Sequence, residues 1–372
     1  MSDKSKKPIV RIGCSLVLSG DENEAAHCRH LQRVVELAAE QANSRKNLPF
    51  QIETVIADDQ LDREQATAVA QQFIADERIL GVVGTTNSDT SLATAPVFHR
   101  AGLVQIAPSV SNIELTRQGY NTFFRLIAHD GWQGVDAARY AVSVLKAQRI
   151  AVLHDSTSFG EPLAEIFRQT AEELGAQIVL YRGIQRGETN FSVMAEQVKQ
   201  ANPDLIYFAL IEAEGQHLAP QIRAAGVRAV YFGSDGLKPS HFLATPGSDV
   251  PGPYHTNAGT DIWVTPSASQ FAQAYKARYG EAYSIYTAEV FDAMNILIDA
   301  FTRAERLDRP NVRDAVAQTR DFPGASGRIT FDEYGDIVDP KIGLYRLEGE
   351  NMRFLGYTRD LLKQADLSPT SS

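Results

Sequence analysis

Four polar residues stand where recognition of a small charged molecule would need them: Ser88, Ser109, Ser111 and Asp235. Ser88 heads the run Ser88-Asp89-Thr90-Ser91, a helix-start signal followed by apolar Leu92, Ala95, Pro96 and Phe98. The free N–H groups of a first helical turn and the positive end of the helix dipole both favour an anion, so a carboxylate or phosphate fits there. Ser109, Val110 and Ser111 follow the apolar run LVQIA, Leu103 to Ala107, and add hydroxyls and backbone groups at a second strand end. Ligands of open parallel sheets bind beyond the carboxyl ends of the strands. Taken singly, Ser88 reads as a helix cap and Ser111 as a turn residue; on adjacent strand ends the pair reads as an anion site. Asp235 lies between Ser234 and Gly236 after VYFGS, where a glycine permits a tight turn. A turn aspartate and a partner for a cation are equally good readings of that carboxylate.

Catalytic constellations are not evident. The sequence carries no G-x-S-x-G elbow, Walker loop, G-x-G-x-x-G or H-E-x-x-H, and so gives no motif for a cofactor. His154-Asp155, closing the run RIAVLHD, could touch a ligand, but a base without a nucleophile at known spacing is weak support for an enzyme. His27, Cys28 and His30 do not converge as metal ligands must, and they read as a solvated helix start. The 372 residues are enough for two domains, and 44% hydrophobic residues without a low-complexity tract fit a globular protein. A formal net charge of −10 argues against a nucleic-acid partner. No apolar run approaches membrane-spanning length, and MSDKSKKP contains no signal-peptide core. Cys14 and Cys28 read as two buried free thiols.

The elements that would position these residues alternate strand and helix, an α/β pattern. VRIGCSLVL, FQIETVIADD, Ile79 to Gly84 and LVQIA read as strands, with helices over Glu24 to Asn43, Arg63 to Asp76 and the segment beginning at Ser88. The first helix places Ala26, His30, Val34, Leu37 and Ala38 on one face. After Tyr120 the run TFFRLIAHDGWQG leads into a Gly-flanked polar segment, and a second strand–helix series opens at Arg149. Its units are RIAVLHD, Pro162 to Leu174, AQIVLYRGI, Phe191 to Ala201, DLIYFAL, Glu214 to Ala225 and AVYFGSDG. Two series of similar rhythm predict two doubly wound, Rossmann-like lobes. PYHTNAGTDIWV reads as a crossing between lobes; helices Ala268 to Tyr279, Ser284 to Leu307 and Pro310 to Arg320 follow, and GRITFD, EYGDIV and KIGLYRL supply the last strands. Tyr286, on a helix that also carries Val290 and Ala293, could lie over the crevice or belong to the core.

GTTNSDTSLATAPVFHRAGLVQIAPSVSNIELT resembles the ligand-binding segment of the branched-chain amino acid (Leu/Ile/Val)-binding proteins, the type I periplasmic substrate-binding proteins of ABC transporters. RIAVLHDSTSFGEPLAEIFRQTAEELGAQIV, GETNFSVMAEQVKQANPDLIYFAL and YFGSDG follow in that family's order, and the likeness spans Pro8 to Tyr357. The resemblance implies a non-enzymatic receptor of two lobes joined by three crossover segments, with residues 8–126 and 258–336 in one lobe, 127–257 and 337–360 in the other, and a tail over 361–372. It implies an amino acid or similar zwitterion as ligand, its carboxylate on Ser88, Ser109 and Ser111 with nearby amides such as that of Val110, and its ammonium on Asp235. Closure of the lobes around the ligand would turn on hinges near Ile127, Asn257 and Asp336. An ABC transporter permease becomes the partner and the periplasmic or extracellular face the location, with a cytoplasmic location left open. The sequence departs from the family at three places. Phe159 replaces a tyrosine, keeping an apolar wall without the hydroxyl; Ile211 and Glu212 replace aromatic residues, and Glu212 would favour a ligand with an extra positive group unless it faces solvent; Asn87 stands where such receptors often carry a disulfide cysteine. A regulatory domain of the same fold, or an α/β enzyme acting on a phosphorylated substrate, are the alternative functions.

Overall fold

A computed structural model describes residues 7–237, 253–261, 264–281, 284–348 and 351–367; the side chains of Glu212, Ala213, Asp366 and Leu367 lie outside the described residues. The chain forms two compact units, Met1–Ile127 with Gly259–Pro340 and Ala128–Ala258 with Lys341–Ser372, so it passes from one to the other three times.

The first unit is built on a five-stranded parallel sheet, β1 (Ile9–Leu16), β2 (Gln51–Asp58), β3 (Ile79–Val83), β4 (Val104–Ala107) and β5 (Phe123–Arg125), in the order β2-β1-β3-β4-β5. Strands β1, β3 and β4 are largely buried on both faces because helices cover both, and only β3 is apolar throughout. Helix α1 (Glu22–Ser44) covers one face together with α9 (Ala268–Tyr279), α10 (Thr287–Arg303) and α11 (Arg309–Ala317), while α2 (Arg63–Ala75) and α3 (Ser88–Arg100) cover the other; the one-turn helix α4 (Glu114–Arg117) and the two-stranded pair β11 (Phe322–Gly324) and β12 (Gly327–Ile329) complete the unit. Short side chains cap these helices: Asp21 accepts from Asn23 and Glu24 N–H at 2.9 and 3.0 Å, and Asp62 and Asp308 repeat the device. The α1 face differs from the expected one. Ala26 is exposed, and Ala25, His27, Cys28 and Leu31 turn inward.

The second unit repeats the order. β6 (Arg149–His154), β7 (Gln177–Gly183), β8 (Leu205–Ala209), β9 (Val230–Gly233) and β10 (Tyr254–Asn257) run parallel as β7-β6-β8-β9-β10, and β13 (Gly343–Glu348) and β14 (Asn351–Tyr357) extend the sheet antiparallel beyond β10. Helices α5 (Asp130–Arg139), α6 (Gly160–Glu173) and α12 (Thr358–Leu367) pack on one face, with α7 (Ser192–Ala201) and α8 (Glu212–Ala224) on the other.

Several expectations are corrected. The Gly-flanked stretch after His129 is helix α5, prolonged by one π turn over Tyr140–Val144. Residues 254–257, read as a crossing, form β10 in the sheet interior, and the strand β14 had no counterpart in the sequence reading. EYGDIV is a turn rather than a strand: the Asp332 carboxylate accepts the Tyr334 and Asp336 N–H groups, and a single bridge joins Phe331 to Ile337. The helix expected from Ser284 begins at Thr287. The tail expected from residue 361 is, through Leu367, the continuation of α12, with Leu361 and Leu362 packed on the second unit's core; residues 368–372 lie outside the described residues.

Candidate functional site

In both units the strand order reverses beside the first strand, between β1 and β3 and again between β6 and β8. Such a reversal leaves strand ends uncovered by connections, which is where ligands of doubly wound sheets bind.

In the first unit β3 runs into Gly84 (φ +107°), where a Cβ would lie 2.3 Å from the Ser15 carbonyl oxygen of β1, so the loop crosses the neighbouring strand on glycine alone. Buried Gln105 of β4 donates through Nε2 to the Gly84 carbonyl at 2.8 Å. Asn87, rather than Ser88, caps α3: its Oδ1 accepts the Thr90 N–H at 3.0 Å, and Ser88 is the first helical residue. Ser88 is therefore released from the capping role, and its side chain is buried with no hydrogen-bond partner among the described residues. From the end of β4, the Ser109 hydroxyl donates to the Thr86 carbonyl at 3.0 Å, tying the two strand-end loops together. Ser111 is buried and likewise without a hydroxyl partner among the described residues. The Val110 side chain joins an apolar cluster with Ala95, Ala107 and Leu115, so it offers this corner only its backbone.

Beneath that loop lies a charge that no local pattern announced. Arg125, at the end of β5, is fully buried; its Nε meets Asp336 Oδ1 at 2.5 Å, Nη1 donates to the Asn112 carbonyl at 2.8 Å, and Nη2 donates to Thr116 Oγ1 at 2.6 Å. The Thr116 hydroxyl in turn donates to Asp336 Oδ2 at 3.0 Å, closing a ring of polar contacts that holds residues 110–116 in place. Asp336, expected near a hinge, is thus an anchor within the first unit.

Tyr286 precedes α10 in the left-handed region (φ +60°), with its ring edge-on to His27 at 6.5 Å. A Cβ on Gly259 would meet that ring at 2.7 Å, so Tyr286 is a packed wall residue of the first unit. His27 is buried and its Nδ1 pairs with Ser284 Oγ at 2.9 Å, against the expectation of a solvated helix start. Among the described residues no group of acidic, histidine and cysteine side chains could hold a metal ion. Burial pushes the Cys14 thiol well up and the Cys28 thiol up to about 12, and both are free.

In the second unit Asp235 follows β9 and is 7% exposed; its Oδ1 accepts from Gln133 Nε2 at 2.9 Å. The next residue, Gly236, packs so closely that a Cβ would lie 2.5 Å from the Leu210 carbonyl oxygen and 2.7 Å from Phe159 Cε1. Phe159, at the start of α6, thereby shares a strand-end corner with the Asp235 turn. Asp155 is structural: Oδ1 accepts the Thr157 N–H at 3.1 Å and hydroxyl at 2.6 Å, and Oδ2 accepts the Ile211 N–H at 3.0 Å, clasping β6 to β8. His154 is structural too, its ring 5.0 Å from that of Tyr181 and its Nδ1 accepting the Ser156 N–H, with burial pulling its pKa below the usual histidine range. Glu212 opens α8 and its side chain lies outside the described residues, whereas Glu214, two positions on, is buried and accepts the Gly187 N–H at 2.8 Å.

The expected residues therefore fall into two groups: Ser88, Ser109, Val110 and Ser111 on adjacent strand ends of the first unit, with Tyr286 elsewhere in it, and Phe159 with Asp235 in the second. Asn87, Gln105, Arg125 and Gln133 were missed. Asn87 alone had a signal, since Asn ranks with Ser as a cap.

A family model described as periplasmic binding protein matches residues 9–350. An amino acid binding protein of Pseudomonas aeruginosa is 28% identical over 308 residues, covering 81% of this chain and 80% of its own. Leu/Ile/Val-binding protein homolog 2 of Brucella abortus is 29% identical over 348 residues, 93% of this chain and 92% of its own. Among solved structures, the leucine binding protein LivK of Thermotoga maritima superposes with a TM-score of 0.84 at 27% identity, covering 94% of this chain and 98% of that one. A match that runs through both units, together with the repeated 2-1-3-4-5 strand order and the three chain passages, places the conclusion beyond composition or motif alone: the chain belongs to the periplasmic binding protein family.

Proposed function

We propose that this protein is a substrate-binding receptor that takes up an amino acid on the periplasmic or extracellular face and delivers it to the permease of an ABC transporter, without catalysing a reaction. The observation that carries this reading is Ser88, buried in the first turn of α3 and relieved of capping by Asn87. With Ser109, Ser111 and the backbone around Val110 on the next strand end, it supplies hydroxyls and N–H groups suited to a carboxylate. Asp235 of the second unit supplies the opposite charge for an ammonium group, and Phe159 an apolar surface beside it. Relatives named for binding amino acids and Leu/Ile/Val support the choice of ligand class.

The test is a thermal-shift screen of the twenty standard amino acids, amides and sugars, followed by calorimetric titration of any hit. A zwitterion should lose about 2–5 kcal/mol of binding when Asp235→Asn deletes the charge but keeps the size, a loss of roughly thirtyfold or more. Near-wild-type affinity of the Asp235→Asn protein would overturn the ammonium assignment.

A further inference from the structure

Gln133 of α5 is fully buried and spends both amide hydrogens within the second unit, one on Asp235 Oδ1 at 2.9 Å and one on Thr256 Oγ1 of β10 at 3.0 Å. The Thr256 hydroxyl has its own hydrogen directed at the Gly233 carbonyl at the end of β9, at 3.4 Å, so toward Gln133 it presents a lone pair. The direction of the chain is thereby fixed: hydroxyl to carbonyl, amide to hydroxyl, amide to carboxylate. Turned the other way, the amide would set its oxygen against the Asp235 carboxylate, which can only accept. The orientation also has a cost to the amide itself. Gln133 Oε1 is buried and has no hydrogen-bond partner among the described residues, and a buried acceptor is ordinarily satisfied. An amide that leaves its oxygen unmatched while both hydrogens are used is arranged for what those hydrogens hold.

We infer that Gln133 is the positioning residue of the binding site in the second unit, holding the Asp235 carboxylate in a single orientation toward the ligand's cationic group through a chain that ends on β9 by way of Thr256. The hydrogen bond from a neutral amide steadies the carboxylate without bringing a positive charge of its own, as an arginine or lysine at the same place would. The ligand half of the statement rests on the amino-acid reading above; the orientation of Asp235 does not.

The experiment compares ligand-free crystal structures of the wild type and of Gln133→Met, which keeps the length of the side chain and removes both donors, and titrates each protein calorimetrically with the twenty standard L-amino acids. The expected result is an Asp235 carboxylate that rotates away or occupies more than one rotamer in Gln133→Met, with affinity for whichever amino acid binds the wild type reduced about tenfold, the order of one charge-assisted hydrogen bond. Thr256→Val, which removes the lone pair, should weaken binding in the same direction, and Thr256→Ser should restore it; a merely structural role would not separate the two. If Gln133→Met fails to fold, the Thr256 pair carries the comparison. An Asp235 carboxylate unmoved in both Gln133→Met and Thr256→Val overturns the inference. If no amino acid binds the wild type, the functional reading falls, while the carboxylate's position still decides the role of Gln133.

Discussion

Replacing Arg125 by methionine should destabilise the first unit more than any surface change, and the magnitude follows from what the guanidinium leaves behind. Methionine keeps the aliphatic stem but strips Asp336, 5% exposed, of its 2.5 Å partner, and takes donors from the Asn112 carbonyl and the Thr116 hydroxyl. Breaking a buried ion pair from one side costs about 3–5 kcal/mol, because the remaining charge must be neutralised or rehydrated. For a unit of this size 1 kcal/mol corresponds to roughly 2–4 °C, so the melting temperature should fall by about 6–20 °C. Asp336→Leu alone should do comparable damage by stranding the arginine. The double variant Arg125→Met with Asp336→Leu should recover much of the loss, since an apolar pair is a tolerable replacement for a buried ionic one. Differential scanning calorimetry of the four proteins gives the cycle. A loss below about 1 kcal/mol in Arg125→Met, or strictly additive losses in the double variant, would refute the argument that this pair is desolvated and interdependent.

Ser88→Ala should lower affinity by roughly tenfold to a hundredfold, about 1.5–3 kcal/mol, with little change in melting temperature, whereas Asn87→Ala should cost about 1 kcal/mol of stability through the lost cap; paired titration and melting curves separate the two roles. Burial pushes the Glu289 carboxyl up to about 7, so the native state holds a proton that the unfolded chain releases near its ordinary value, and stability is lost as pH rises from about 4.5 through 7. Glu289→Gln should therefore raise the melting temperature at pH 8 and change it little at pH 4.5, as melts across that range would show. Gly236→Ala drives a Cβ against a backbone oxygen that cannot yield, and should cost about 1–3 kcal/mol and weaken binding by shifting Phe159 and the Asp235 turn together, both measurable on one purified variant.

The two lobes were legible because each strand–helix pair writes its own period, and ILGVV and LIYFA are apolar on both faces as strands covered from both sides must be. Ser88 and Asp235 were legible by position, at strand ends followed by a helix start or a glycine. Helix α5 was hidden by Gly131 and Gly134; Gly134 sits against Ile166, where a Cβ would meet its Cγ2 at 2.8 Å, so a helix–helix contact chose a residue that local propensity counts as a breaker. β10 is only four residues long and lies next to Pro253, and its strand character comes from β9 and β13 on either side. The choice of Asn87 over Ser88 as cap turned on one residue of register, within which Asn, Ser and Asp are near equals. Arg125 and Asp336 are 211 positions apart, and Gln133 and Asp235 are 102 apart; no local period or motif encodes such pairings.

The first unit's core is assembled from residues separated by the 128–258 segment of the second unit, and this dictates an order of events on the ribosome. Val34, Val35 and Leu37 of α1 are buried in one cluster with Val290, Met294 and Leu297 of α10, and Leu297 lies so near β3 that a Cβ on Gly81 would meet it at 2.5 Å. Until α10 has been synthesised, one face of the sheet formed by the first 127 residues is covered by α1 alone. At a usual elongation rate of about 5–20 residues per second that interval lasts roughly 10–35 s, during which the nascent chain carries a partly uncovered apolar face available to chaperones or to aggregation. Chains arrested near residue 250 should be cut by protease in α1 far faster than chains released after residue 340, and equal resistance would mean that the early sheet finds another way to close.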